Sequence, residues 1–259
     1  MTKKGEIINR IGEIGYNFYG RKMVIIDMVN NKDITVEFDD GRIVKTRYSE
    51  FKSGKIKHPY DKRVYGVGYH GEGEYKVSIN QIHTFQYNLW YDMLKRCYCK
   101  NYIKKHPTYK DCTVCEEWHN FQNFAKWVDE NYYEVEGNYR MELEKDILVK
   151  GNKIYSPETC VFIPRILNTL FIYQKTRKGK YPLGVAKSSN NNFYARVSKN
   201  KNGEIIREES SKFPTPEEAF YAYKEIKEKY IKEMADEYKD KIPKKLYDAM
   251  YRYEVDITD

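Results

Sequence analysis

Apolar and polar residues alternate in short runs over the first 60 positions. Residues 22–29 read KMVIIDMV, 34–38 read ITVEF, and 43–51 begin IVKT. A period of two marks strands with one buried face. Residues 30–33 and Asp39-Asp40-Gly41 supply the turns between them. Three short strands in tandem predict a small β-barrel of the SH3 or Tudor type over residues 1–60. Residues 61–83 follow as a connection rich in glycine and tyrosine. Its GVGYHGEG stretch neither follows a clear strand nor opens a helix. It reads as a loop or irregular hairpin, not a dinucleotide site.

The period then lengthens. Tyr87, Trp90, Tyr91, Leu94 and Tyr98 fall at helical spacing and predict a helix over 84–98. Lys95 and Arg96 sit near its C-terminal end, where the helix dipole favours cations. Trp118, Phe121, Phe124, Ala125 and Val128 form a second apolar stripe, which predicts a helix over 116–131. A loop follows over 131–138. The stretch 142–163 reads as a strand, a tight turn at Gly151-Asn152, and a second strand-like run. Ser156-Pro157-Glu158 reads as a cap and first turn of a helix, and 164–171 as a short helix. A basic loop over 175–180 leads to three strands at 184–187, 193–199 and 204–209, with turns at 188–192 and 200–203. Thr215 and Glu218 form a capping box before a long helix over 219–238. Leu246, Met250 and Tyr253 predict a short helix in the tail, 242–259. The fold class is therefore α+β, organised as 1–60, 61–83, 84–172, 180–240 and 241–259.

Charge adds a partner class to this picture. Lys and Arg number 46 against 38 Asp and Glu, a net charge of +8. That excess favours an anionic partner, most simply nucleic acid. The 26 tyrosines suit either base stacking or the wet edges of small cores. No segment approaches the roughly 20 apolar residues needed to cross a bilayer, and MTKKG lacks the apolar core of a signal peptide. A cytoplasmic protein with no membrane partner is expected. Its five cysteines are then thiols or metal ligands sooner than disulfides. Cys97 with Cys99 and Cys112 with Cys115 form two close pairs. They fit either a structural Zn²⁺ or buried thiols.

Four stretches carry a resemblance: WYDMLKRCY from Trp90, YKDCTVCEEW from Tyr109, KDIL…GNKIYSPETCVFIP, and GV…YARV…FPTPEEAFYAY. From Trp90 to about Tyr238 the chain resembles phage-encoded HNH-like (ββα-metal) endonucleases with a C-terminal AP2-type DNA-binding domain. The resemblance implies a bacterial host cell and double-stranded DNA as partner. It places the catalytic hairpin at 142–163 and a DNA-reading sheet at 184–209.

The HNH pattern asks for a histidine base at the end of the first strand. Here that position falls at Lys145 or Asp146, and no histidine follows His119. Lysine is protonated at neutral pH and makes a poor base. Tyr155 is a substitute base if a cation lowers its pKa. Two readings stand. In one, Asp146 binds Mg²⁺ with Glu144, Asn152 and Glu158 contributing, Lys145 contacts phosphate, and the protein nicks DNA. In the other the hairpin keeps its fold and has lost its chemistry. The protein then binds DNA, or blocks a host defence component such as a CRISPR protein. For the AP2-like sheet, the resemblance implies Lys187, Tyr194, Arg196, Lys199 and Arg207 as DNA contacts, Arg196 toward a base and the others mainly toward phosphate.

Overall fold

The computed structural model describes residues 8–137, 140–172, 180–201 and 204–258. Most of the basic loop expected over 175–180 lies outside these residues, as do Asn138, Asn202, Gly203 and Asp259. The fold is α+β, with several small sheets and seven α-helices among the described residues. The chain divides into two compact units, Met1–Lys110 with Val114–Val128, and Asp111–Thr113 with Asp129–Asp259.

The first unit begins with an antiparallel meander, β1 (Ile14–Tyr16), β2 (Lys22–Asn30), β3 (Asp33–Phe38) and β4 (Ile43–Thr46). Alternation works as the sequence predicts: Met23 faces Phe38 and Ile25 faces Val36, all buried in one core. Two details differ from expectation. The sheet has four strands and stays open among the described residues, with β1 and β4 at its edges. The run 43–51 leaves the sheet at Thr46 and turns into α1 (Tyr48–Lys52), which drops Phe51 onto the core. A buried polar knot ties the sheet to the segment after it. Asn17 Nδ2 donates to both Asp61 oxygens at 3.1 Å, and the His58 amide donates to Asp61 Oδ2 at 2.7 Å.

The connection 61–83 ends in a hairpin, β5 (Ser78–Ile79) and β6 (Ile82–His83), turned by Asn80 and Gln81 at positive φ. Thr84 caps α2 (Phe85–Tyr98) by accepting the Tyr87 amide. Its buried face is Tyr87, Trp90, Met93, Leu94 and Cys97. α3 (Lys100–Lys105) and a 3-10 turn, Pro107–Tyr109, follow. The chain passes between the units at β7 (Thr113–Val114). The helix predicted over 116–131 is split: Glu116–His119 is a 3-10 turn, and α4 starts at Phe121 and ends at Asn131. Trp118 thereby leaves the helix but stays fully buried. Its carbonyl accepts the Trp90 indole N–H at 2.7 Å, and its ring meets Phe124 edge-on at 5.0 Å. Gly68 passes over this core so closely that a Cβ there would lie 2.8 Å from the Trp90 ring.

The second unit holds β8 (Met141–Glu144), β9 (Ile154–Tyr155), β10 (Val161–Pro164) and α5 (Arg165–Asn168). β8 pairs antiparallel with β10, not with the run just after Gly151-Asn152. Ser156 opens a turn rather than a helix: the amides of Thr159 and Cys160 both return to its carbonyl. A cap-like Ser-Pro pair serves both structures, so local sequence does not choose between them. A second sheet, β11 (Val185–Lys187), β12 (Phe193–Lys201) and β13 (Glu204–Glu209), packs Ala195 and Val197 against Phe220 and Tyr223 of α6 (Pro216–Glu237). The capping box forms as expected, Thr215 and Glu218 each accepting the other's amide at 3.3 Å. α7 (Lys244–Tyr251) buries Leu246 and Met250, and Tyr247 and Tyr251 both donate to Asp236 of α6.

Candidate functional site

The connection between β8 and β10 begins with a charged knot. Glu144 Oε1 accepts the backbone amides of Lys145 at 2.8 Å and Asp146 at 3.1 Å. The Lys145 side chain is 7 % exposed, and its ammonium lies 3.0 Å from Asp146 Oδ2 and 5.8 Å from the centre of the Tyr155 ring. Asn152 Nδ2 donates to the carbonyls of Lys145 and Ile154, both at 2.7 Å, and its Oδ1 accepts the Ile154 amide. Lys145, Asp146, Asn152 and Tyr155 are thus brought together, as the sequence suggested. Glu158 is exposed on the following turn.

The electrostatics separate their roles. Burial, then sharing of a proton with Asp146, pushes the Glu144 carboxyl up to about 7. Burial also acts on Asp146, but its hydrogen bond with Glu144 and the Lys145 ammonium outweigh it and hold that carboxyl below the usual range. Burial works against the charge on Lys145, and Asp146 more than offsets it, so the ammonium persists. Lys145 is therefore no base. Glu144 has the basicity of one, which sequence reading missed because nothing in ELEKD reports burial. An Mg²⁺ fits this arrangement poorly. Asp146 faces an ammonium, Asn152 Oδ1 is engaged with backbone, and among the described residues no three His, Cys, Asp or Glu are gathered as ligands.

Proton linkage gives a test. Glu144 holds its proton more tightly folded than unfolded, so its contribution to stability is present at low pH and lost as pH rises from 4.5 through about 7. Asp146 acts oppositely and at lower pH, losing its contribution as pH falls through its depressed value. Glu144→Gln keeps the acceptor and removes the charge. Urea unfolding is expected to give equal stability near pH 4 and a gain on the order of 2 kcal/mol for the variant at pH 8. Equal stability at both pH values would refute the shared proton.

None of the five cysteines is in a disulfide. Cys97 and Cys112 are buried, and Cys99 and Cys115 half-buried. Burial raises the Cys112 thiol, and pushes that of Cys160 up to about 12. Cys112 and Cys160 are therefore thiols protonated at neutral pH.

The β11–β13 sheet sorts the five expected DNA contacts by parity. Residues directly opposite across an antiparallel pair share a face. Tyr194, Arg196, Ser198 and Asn200 alternate with the buried Ala195 and Val197, so they point away from α6. Arg207 lies opposite Ser198 and joins them. Lys187 lies opposite Phe193, on the α6 side. Lys199 also faces α6, and its ammonium sits 2.8 Å from Glu208 and 3.6 Å from Glu233. The structure thus gathers Tyr194, Arg196 and Arg207 and separates Lys187 and Lys199 from them. Arg196 is held in place: Nε donates to Glu209 Oε1 at 2.9 Å and Nη2 to the Tyr194 hydroxyl at 2.6 Å.

No family model, curated protein or solved structure matches this chain. Function therefore rests on the site itself. Among the described residues, no helix is long and apolar enough to cross a membrane.

Proposed function

We propose that the protein binds duplex DNA through the outward face of β11–β13, and that the Glu144–Lys145–Asp146 knot is a scaffold without nuclease chemistry. The observation that carries this reading is the Arg196 guanidinium, fixed by Tyr194 and Glu209 on a face it shares with Arg207, Ser198 and Asn200. Strands about 4.8 Å apart make a three-stranded sheet roughly 10 Å across, and the major groove is about 12 Å wide. A planar fork held in that position suits guanine O6 and N7. The excess of Lys and Arg, +8 overall, supplies long-range attraction to phosphate. On this reading the sheet with α6 behind it is an AP2-type module. The β8–β10–α5 region is an HNH-like finger and the N-terminal meander an SH3-like one, all of phage type.

The scaffold reading rests on how the knot spends its groups. Lys145 neutralises Asp146, Asn152 closes the turn, and Glu144 caps two amides. Supercoiled plasmid is expected to stay intact with Mg²⁺ or Mn²⁺. Nicking that disappears in Asp146→Ala would restore the nuclease reading.

For DNA binding, fluorescence anisotropy on a labelled duplex is expected to show a steep fall of affinity with salt. Arg196→Ala should weaken binding about 10- to 100-fold, as loss of one bidentate base contact does. Arg207→Ala should weaken it less and flatten the salt slope by about one. Unchanged affinity in the double variant would refute the sheet as the interface.

A further inference from the structure

The first unit carries a basic and aromatic surface that the sheet reading leaves unused. Between Asp92 and Asp111 the chain has no carboxylate, yet it holds Lys95, Arg96, Lys100, Lys104, Lys105 and Lys110. α3, in the middle of this run, buries no side chain. Aromatic rings are interleaved with the cations. Lys95 Nζ lies 5.5 Å from the centre of the Tyr102 ring, and Arg96 Cζ lies 5.8 Å from that of Tyr109. Tyr102 meets His106 at 4.4 Å with 33° between planes, and Tyr109 at 5.8 Å. Two half-buried tyrosines and an exposed histidine thus cluster on one surface, with the Lys95 ammonium over one tyrosine ring and the Arg96 guanidinium over the other.

We propose that this surface, α3 with the turn after it, binds single-stranded nucleic acid. An uninterrupted run of cations selects a polyanion. The rings select which one, since every unpaired base offers a face to stack and a duplex keeps those faces covered. Cations over the rings hold them in place before a strand arrives. This goes beyond duplex binding by the sheet and does not depend on it.

The test uses the full chain, a fluorescein-labelled dodecathymidine, and a duplex of equal length, followed by anisotropy. Tyr102→Ala and Tyr109→Ala are each expected to weaken the single strand about tenfold and leave the duplex unchanged. Tyr102→Phe and Tyr109→Phe should bind as the parent does. Lys104→Ala with Lys105→Ala, both exposed, should lower the slope of log affinity against log salt by about 1.4 for the single strand. This variant gives the answer even if a tyrosine variant unfolds. Failure of dodecathymidine to bind, single-strand affinity unchanged in every variant, or equal losses on single strand and duplex would overturn the proposal. Arg196→Ala serves to separate the two readings. It is expected to lose duplex and keep single-strand binding, and the reverse would sink the sheet reading and this one together.

Discussion

Replacing Trp118 by alanine is expected to lower the stability of the first unit by about 3–5 kcal/mol. The side chain is fully buried. It meets Phe124 at 5.0 Å, nearly perpendicular, and Trp127 at 4.7 Å, so its removal strips two aromatic contacts and leaves a void. The backbone carbonyl of residue 118 still accepts the Trp90 indole N–H, so the loss is one of packing rather than of that hydrogen bond. Urea unfolding followed by far-ultraviolet circular dichroism measures it. A loss under 1 kcal/mol would mean that the ring is not where the fold places it. The contrast with exposed aromatics is part of the prediction: Phe18→Ala, on a side chain 71 % exposed, should change stability by less than about 0.5 kcal/mol.

Gly184→Ala is expected to cost the second unit about 2–5 kcal/mol and to carry duplex binding down with it. The residue has φ +72, a conformation that costs an L side chain about 1–2 kcal/mol. A Cβ there would also overlap the ring of Tyr223, on the face of α6 that meets the sheet. Relief requires the sheet to lift from the helix, and overpacking of this kind costs a further 1–3 kcal/mol. A double variant with Tyr223→Ala should recover the steric part and retain the backbone part. The coupling energy from that cycle is the decisive number. If the two substitutions prove additive, the close approach of Gly184 to the ring is refuted.

The two predictions mark different depths at which sequence speaks. The apolar stripes on α2 and α4, the alternation in β2, β3 and β12, and the Thr215–Glu218 box are local patterns, and each produced its element. Element ends were less legible. The run from Ile43 bends into α1 after Thr46 because Phe51 reaches the core from a helical turn, a choice made by the core rather than by the run. The break between Trp118 and Phe121 has the same origin, since both side chains are buried although Trp118 lies in a 3-10 turn and Phe121 opens α4.

The candidate sites divide in the same way. The sequence by itself determined that Lys145, Asp146, Asn152 and Tyr155 would be near one another, because a short connection leaves them little freedom. It also determined that the chain is basic, that three strands precede a long capped helix, and that no histidine follows His119. Only the tertiary structure decided that β8 pairs with β10 across the connection 145–160. Burial of Val161, Phe162 and Ile163 fixes that register, and no local signal reaches so far. Only it decided that Glu144 titrates near neutrality, because desolvation depends on neighbours brought from elsewhere in the chain. And only it put Lys187 and Lys199 on the helix side of their sheet and Arg196 on the other, because a strand offers two faces and packing against α6 chooses between them.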